Sequence, residues 1–237
     1  MYSRGKLLEN FISTYCAVLK HASSLERAFV HSSYVNENPG AGFVSNERLE
    51  FLGDAVLSFV ISALLYERLP DVPEGELTKL RARIVNKKAL SDAAVNAGIK
   101  ELLLLGKGER KGGGADNPSI LADAFEAVIG LLYTEAGADA SREFIVKTLG
   151  ESIDAALKAE ASDFDWKGIL QEASQRMFFV SPIYEVVRED GPSHKKVFTV
   201  GVSIKGEELG SGTGATKKEA EQAAAKAAFE KLKERGA

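Results

Sequence analysis

The sequence predicts an all-α domain followed by a small α+β domain of order α-β-β-β-α, and three observations carry that prediction. Apolar residues recur at helical spacing in segment after segment from Arg4 to Ala159. Beyond that point the period changes, because Phe198, Val200, Val202 and Ile204 alternate with Thr199, Gly201 and Ser203 as in a half-buried strand. Helical spacing then returns at the carboxyl end. The 237-residue chain divides accordingly into residues 1–158, a linker at 159–163 and residues 164–237.

In the first domain, Leu7, Leu8, Phe11, Ile12, Tyr15 and Leu19 place a helix over Arg4 to Lys20. Leu25 to Tyr34 follows as a shorter helical segment, in which His31 reads as a hydrogen-bonded structural residue rather than a ligand. Asn36 to Ser45, with Pro39, Gly40 and Gly42, is a loop ending in a Ser45-Asn46 helix cap. Leu49, Leu52, Val56, Phe59 and Val60 form the buried face of the next helix, which runs toward Tyr66. Leu69 to Gly75 breaks it, and Leu77, Leu80, Ile84 and Val85 restart a helix from Glu76. Lys79, Arg81, Arg83, Lys87 and Lys88 decorate that helix and face either a polyanion or solvent. Leu90 to Ala97 continues helical until Gly98, and Leu102 to Leu105 is a short apolar run. Gly106 to Gly114 lacks the Gly-Lys-Ser/Thr ending of a nucleotide loop and the spacing of a dinucleotide fingerprint, so it reads as a flexible basic loop. Asn117-Pro118 supplies a cap followed by proline at the first helical position. Ala140 to Ala159 is the last helix of the domain.

The second domain opens with a helix over Phe164 to Met177 that turns Ile169, Leu170, Ala173 and Met177 inward. Ile183 to Glu189 is the first strand, Asp190-Gly191 its turn, and Lys205-Gly206 leads from the second strand into a third over Glu207 to Gly212. Thr216 and Glu219 make a capping box that starts the closing helix, whose Ala220, Ala223, Ala224, Ala227 and Phe229 pack on the sheet. Lys217 and Lys218 fall in its first turn, where the helix dipole disfavours cations. A bound phosphate resolves that conflict; solvated lysines on an exposed turn are the plainer alternative.

Composition bounds the function. With 45% apolar and 27% charged residues the chain reads as soluble and globular. A single cysteine, Cys16, excludes an internal disulfide and a cysteine-rich zinc site, and fits a reducing compartment. The longest apolar run, Ala55 to Tyr66, is short for a bilayer span, and the amino terminus has no basic-then-apolar signal segment. A cytoplasmic protein without a membrane partner is expected. The net charge of −4 argues against a polyanion only if it is evenly spread. It is not: 12 of the 30 basic and 12 of the 34 acidic residues lie in 163–237, leaving 18 basic against 22 acidic in 1–162. The acidic excess belongs to the first domain and the second is neutral, so charge placement decides binding.

The acidic residues are themselves patterned. Glu47, Glu50 and Asp54 stack on neighbouring turns of one helix face, with no Lys or Arg in that window placed to neutralise all three. Like charges so spaced cost a helix about 0.2–0.5 kcal/mol per pair, a strain that a bound cation relieves. Taken alone, such a run is an ordinary solvated face. A second acidic helix, with Asp123 and Glu126 three residues apart beside Ile120, Leu121, Ala124 and Val128, makes a shared metal site the sharper reading.

These residues carry a resemblance. Asn46-Glu47-Arg48-Leu49-Glu50-Phe51-Leu52-Gly53-Asp54 resembles the signature of the ribonuclease III endonucleases, Leu121 to Ala127 resembles that family's second acidic motif, and Pro73 to Leu77 the segment between them. Residues 164–234 resemble a double-stranded-RNA-binding domain, through Gln171-Glu172, Gly191 to Lys195 and Lys217 to Glu221. The resemblance implies an all-α endonuclease domain followed by an α-β-β-β-α RNA-binding domain, in a homodimer that cuts both strands of duplex RNA by metal-activated water. It implies 5′-phosphate and 3′-hydroxyl products and a role in processing ribosomal and other structured RNAs. Glu50, Asp54, Asp123 and Glu126 carry over as metal ligands, with Asp54 and Glu126 catalytic. Glu74 and Glu47 support the site, and Phe51 plugs a pocket of the partner subunit.

The implied cofactor is Mg²⁺, with Mn²⁺ able to substitute, and carboxylate oxygens suit such hard ions. No histidine is required, and His21, His31 and His194 lie outside the acidic motifs. In the RNA-binding domain the resemblance assigns Gln171, Glu172, Gln175, His194, Lys195, Lys217 and Lys218 to the duplex. Such a domain spans about 16 base pairs, touching two minor grooves and the phosphates between them. The alternative is a catalytically silent double-stranded-RNA-binding regulator, disfavoured because every acid is present. A di-iron bundle would need Glu-x-x-His on two helices, and no histidine here follows a glutamate by three.

Overall fold

A computed structural model describes residues 3–17, 19, 22–70, 72–192 and 195–235. The chain divides into two compact units, Met1–Glu160 and Ala161–Ala237. The first contains helices α1 (Arg4–Tyr15), α2 (Ala22–Glu26), α3 (Ser32–Glu37), α4 (Glu47–Arg68), α5 (Glu74–Ile84), α6 (Lys87–Asn96), α7 (Lys107–Lys111), α8 (Pro118–Ala136) and all but the end of α9 (Ala138–Asp163). Residues 159–163, expected as a linker, are helical within α9, and Ala159, Glu160 and Ala161 are strong helix formers.

Helix α8 is the centre of this unit. Asn117 accepts the N–H of Ser119 and Pro118 follows at the first helical position, as the sequence predicts. Most of its side chains from Ile120 to Leu132 are buried, and its most extensive neighbour is α4. The two helices meet backbone to backbone, because each presents a glycine at the crossing. A Cβ on Gly53 would overlap the carbonyl oxygen of Glu126, and a Cβ on Gly130 would overlap that of Leu49. By length and composition α4 could cross a bilayer, since it extends beyond the apolar run on both sides. Its Val56, Leu57, Val60, Ile61, Leu64 and Leu65 are instead buried in the helical core, whereas Phe59, expected on the buried face, is 69% exposed.

Three further expectations in this unit need correction. The helix expected over Leu25 to Tyr34 is broken by a 3-10 turn at Arg27–Phe29 and an isolated parallel bridge from Val30 to Leu104. Asn46 starts α4 without capping it, because its buried amide donates to the carbonyl of Ala28 at 3.1 Å while its own N–H reaches Val30 O at 2.8 Å. The glycine-rich stretch 106–114 is a folded turn, not a flexible loop. Glu37 of α3 accepts the N–H groups of Lys107 (2.7 Å) and Gly108 (3.0 Å), and Ser33 Oγ accepts that of Gly106 (3.0 Å). Each correction comes from a hydrogen bond between residues far apart in sequence.

The second unit comprises α10 (Trp166–Phe178), β1 (Ile183–Asp190), β2 (Val197–Ile204), β3 (Glu207–Gly214) and α11 (Lys217–Glu234). The strands form one antiparallel sheet in the order β1-β2-β3, with Val186 opposite Val200 and Val202 opposite Gly210. Lys205 and Gly206 both take positive φ in the β2–β3 turn, as a two-residue hairpin requires. The third strand extends past the expected Gly212 because its glycines have a packing role. A Cβ on Gly210, Gly212 or Gly214 would run into the α11 backbone at Ala228, Ala224 or Ala220 respectively. The buried stripe of α11 is therefore Ala220, Ala224, Ala225, Ala228 and Leu232, while Ala223, Ala227 and Phe229 are only partly buried. Met177, expected inward, is exposed at the end of α10.

Candidate active site

The glycine crossing sets the site. Glu50 lies one residue from Leu49, whose carbonyl faces Gly130, and Glu126 is the residue whose carbonyl faces Gly53. Glu50, Asp123 and Glu126 consequently offer carboxylate oxygens within 4.8 Å of one another, all half-buried. Their acidities record this. Burial, with the charges of Asp54, Asp123 and Glu50, pushes the Glu126 carboxyl up to about 8. Burial followed by Asp123, Glu47 and Asp54 raises Glu50 as well. Asp123 is raised by burial, against the opposing charges of Lys87 and His31.

Asp54 is exposed and outside that triad of close oxygens, yet its charge bears on both Glu50 and Glu126. Glu47 stands at the exposed start of α4, where its carboxylate accepts Ser45 Oγ at 2.7 Å. Glu74 is not brought to the triad within this chain. It begins α5, accepts Thr78 Oγ1 at 2.9 Å, and lines a groove of about 410 Å³ with Phe59, Ser62, Tyr66, Leu77 and Arg81. Phe51 projects from α4 with 82% of its surface exposed. His31, distant from the acids in sequence, is brought close enough to bear on the acidity of Asp123. Its Nδ1 accepts the N–H of Ser33 at 3.2 Å and pairs with Ser33 Oγ at 2.7 Å, the structural role expected of it.

Three half-buried acids with no ion pair to Lys or Arg among the described residues form a site short of positive charge. Hard oxygen donors at a site short of positive charge fit a divalent cation such as magnesium, which binds through a few carboxylates and keeps its remaining waters. A larger polar groove of about 660 Å³, lined by Tyr15, Asn86, Lys88, Asp92, Lys147 and Glu151 among others, contains none of these acids.

In the second unit Gln171, Glu172 and Gln175 are exposed along α10 and line one shallow concavity of about 700 Å³ with Gly168, Arg176 and Phe179. Lys195 is exposed in the β1–β2 connection, with its N–H bonded to Pro192 O at 2.8 Å; His194 lies outside the described residues. Thr216 Oγ1 accepts the N–H of Glu219 at 3.2 Å, and Glu219 returns to the N–H of Ala215 at 2.9 Å, one residue earlier than a capping box. Lys218 is exposed. Lys217 is exposed but engaged: its Nζ is 3.4 Å from Glu189 and sits over the Phe198 ring. Glu189 also pairs with Lys196 at 3.1 Å, and these two lysines hold its carboxyl below the usual range. Two neighbours of these residues, Lys196 and Phe179, were not singled out from the sequence. An aromatic at the residue closing α10, where glycine is usual, is the signal that marks the second.

Residues 22–153 match the family model described as Ribonuclease-III-like, and residues 166–232 match the double-stranded RNA binding motif. The curated Ribonuclease 3 of Desulforamulus reducens is 47% identical over 212 residues, which cover 90% of this chain and 86% of that protein. Ribonuclease 3 of Streptococcus gordonii is 45% identical over 231 residues, 95% of this chain and 97% of that one. Among solved structures, the nuclease domain of ribonuclease III from Campylobacter jejuni, described for flexibility in a region involved in dimer formation, superposes with a TM-score of 0.57 at 33% identity. It spans 62% of this chain and 99% of that domain.

Proposed function

The chain belongs to the ribonuclease III family, and from that premise we propose how its residues divide the work of a double-strand-specific endoribonuclease. The observation that carries the proposal is the meeting of Glu50, Asp123 and Glu126 at the α4–α8 crossing. Glu50, Asp54, Asp123 and Glu126 hold magnesium, with manganese as a substitute. A divalent ion held there supplies Lewis acidity, which makes water a nucleophile near neutral pH and offsets charge at the phosphate. The protein's own part is positional and electrostatic. Burial holds the Glu126 carboxyl up to about 8 and biases Glu50 and Asp123 the same way, so an ion bound by these residues would displace protons from them.

Attack of water on phosphorus with rupture of the P–O3′ bond, the 3′ oxygen leaving and taking up a proton, gives a 5′-phosphate and a 3′-hydroxyl and does not use the ribose 2′-hydroxyl. Selectivity for RNA then rests with the second unit. Gln171, Glu172 and Gln175 meet 2′-hydroxyls in one minor groove, the segment containing His194 and Lys195 enters the next, and Lys217 and Lys218 hold the phosphates between them. For Lys217 this entails exchanging Glu189 for a phosphate.

The enzyme is a homodimer. Phe51, Phe59 and Tyr66 give α4 an exposed apolar side, and the groove beside Glu74 runs along the same helix. Phe51 of one subunit fills a pocket of its partner, which brings Glu74 into use, and Glu47 supports the same edge. The setting is the cytoplasm and the substrates are structured RNAs, ribosomal precursors among them. The test is cleavage of end-labelled duplex RNA, single-stranded RNA and duplex DNA, with magnesium and with chelator. Magnesium-dependent cutting of the RNA duplex alone is expected; tight duplex binding with no cutting would favour the silent regulator instead.

A further inference from the structure

One residue beside the amide face of α10 is held in a conformation that its side chain opposes. Phe179 closes α10 with φ 60 and ψ 26, the left-handed region, in which a bulky side chain is an outlier and glycine is the usual occupant. Lys205 is the only other non-glycine with positive φ among the described residues, and it lies in a hairpin turn.

The surrounding chain fixes Phe179 there. Its N–H donates to Gln175 O at 3.1 Å, and the next carbonyl, that of Val180, accepts the buried hydroxyl of Ser174 at 2.6 Å. Phe178, its neighbour, packs against the core of the sheet unit, whereas Phe179 turns outward with 81% of its surface exposed. Strain over-determined by neighbouring bonds points to use rather than accident.

The use is indicated by what the ring adjoins. Phe179 lines the same concavity as Gln171, Glu172, Gln175 and Arg176, and Arg176 makes no ion pair among the described residues. Amides and a carboxylate suit 2′-hydroxyls, a guanidinium suits a phosphate, and a ring edge suits the C–H faces of riboses. An A-form minor groove, wide and shallow, presents all three together.

We infer that Phe179 is a further RNA-contact residue, packing against the sugars of the minor groove that the α10 face enters. This rests on the reading of α10 as an RNA-binding face. The contact is apolar, so it adds affinity without releasing counterions, and it is independent of sequence because every ribose offers the same surface.

The test is binding of the full chain, in chelator, to a duplex of about 20 base pairs closed at both ends by loops, and to the same duplex with open ends. The variants are Phe179→Gly, which relieves the left-handed strain, and Phe179→Tyr, which keeps the ring. Phe179→Gly is expected to bind both RNAs about five- to tenfold more weakly, with an unchanged slope of log affinity against log salt and no loss of melting temperature. Phe179→Tyr is expected to bind like wild type. Equal binding by Phe179→Gly would overturn the inference, as would a loss confined to open-ended duplex, which would mean stacking on the terminal pair. Failure of wild type to bind either RNA would overturn the RNA-binding reading beneath it.

Discussion

Glu126 is the residue on which the proposed chemistry turns, and its acidity makes a prediction about stability. Its carboxyl binds a proton more tightly folded than unfolded, so between about pH 4.5 and 8 the metal-free folded chain carries more protons than the unfolded one. Stability then falls as pH rises through that window. Glu50 and Asp123 push in the same direction. Melting temperatures of the metal-free protein are expected to decline from pH 5 to pH 8, and the rise on adding magnesium to grow over the same range, as read by thermal scans at fixed ionic strength. Glu126→Gln, which mimics the protonated acid, should flatten much of that slope and raise metal-free stability near pH 8. The acids themselves were legible from sequence, because three- and four-residue spacing on two helices places them on faces. Their burial was not, since it depends on how closely those helices approach.

That approach belongs to the helices. Gly53 and Gly130 remove the side chains that would hold α4 and α8 apart, so the backbone crossing and the acidic triad are one feature. Gly130→Ala is expected to lower stability by about 1–3 kcal/mol and to weaken magnesium binding, because the overlap is with backbone and no side chain can move aside. Gly150→Ala, in α9 with open space around it, is expected to raise stability by about 0.5–1 kcal/mol through helix propensity. Urea titrations of both variants check the contrast; equal effects would mean the crossing is looser than described. Periodicity located α4, α8, α10 and the middle strand, and turn residues placed the strands on either side of it. It failed at residues 25–34 and 106–114, where Asn46, Ser33 and Glu37 supply bonds from distant positions. It also misplaced the inner face of α11, where the register follows Gly210, Gly212 and Gly214 rather than the largest apolar residues.

Across the whole molecule, the change in apolar period from helical to alternating is enough to separate a helical part from a part containing a sheet. Assembly is not legible in that way, because helical spacing sets the exposed Phe51 off the apolar stripe but puts the equally outward Phe59 on it. Burial of a phenylalanine is worth about 1.5–3 kcal/mol, so Phe51→Ala should weaken self-association at least about tenfold without loss of helix content. Sedimentation across a concentration series checks this; an undiminished dimer would place the interface elsewhere. Nuclease and RNA-binding functions are carried by different units of the chain, and so one substitution can remove the first and spare the second.

The most direct measurement is therefore cleavage and binding of one labelled RNA duplex by wild type and by Glu126→Gln. Cleavage is followed with magnesium and binding with chelator. Wild type is expected to cut with magnesium and stop with chelator, and Glu126→Gln to bind the duplex within about twofold of wild type while cutting at least a thousandfold more slowly, about 4 kcal/mol of lost barrier reduction. Cutting by Glu126→Gln at a rate near wild type would contradict the assignment of the α4–α8 crossing as the catalytic site.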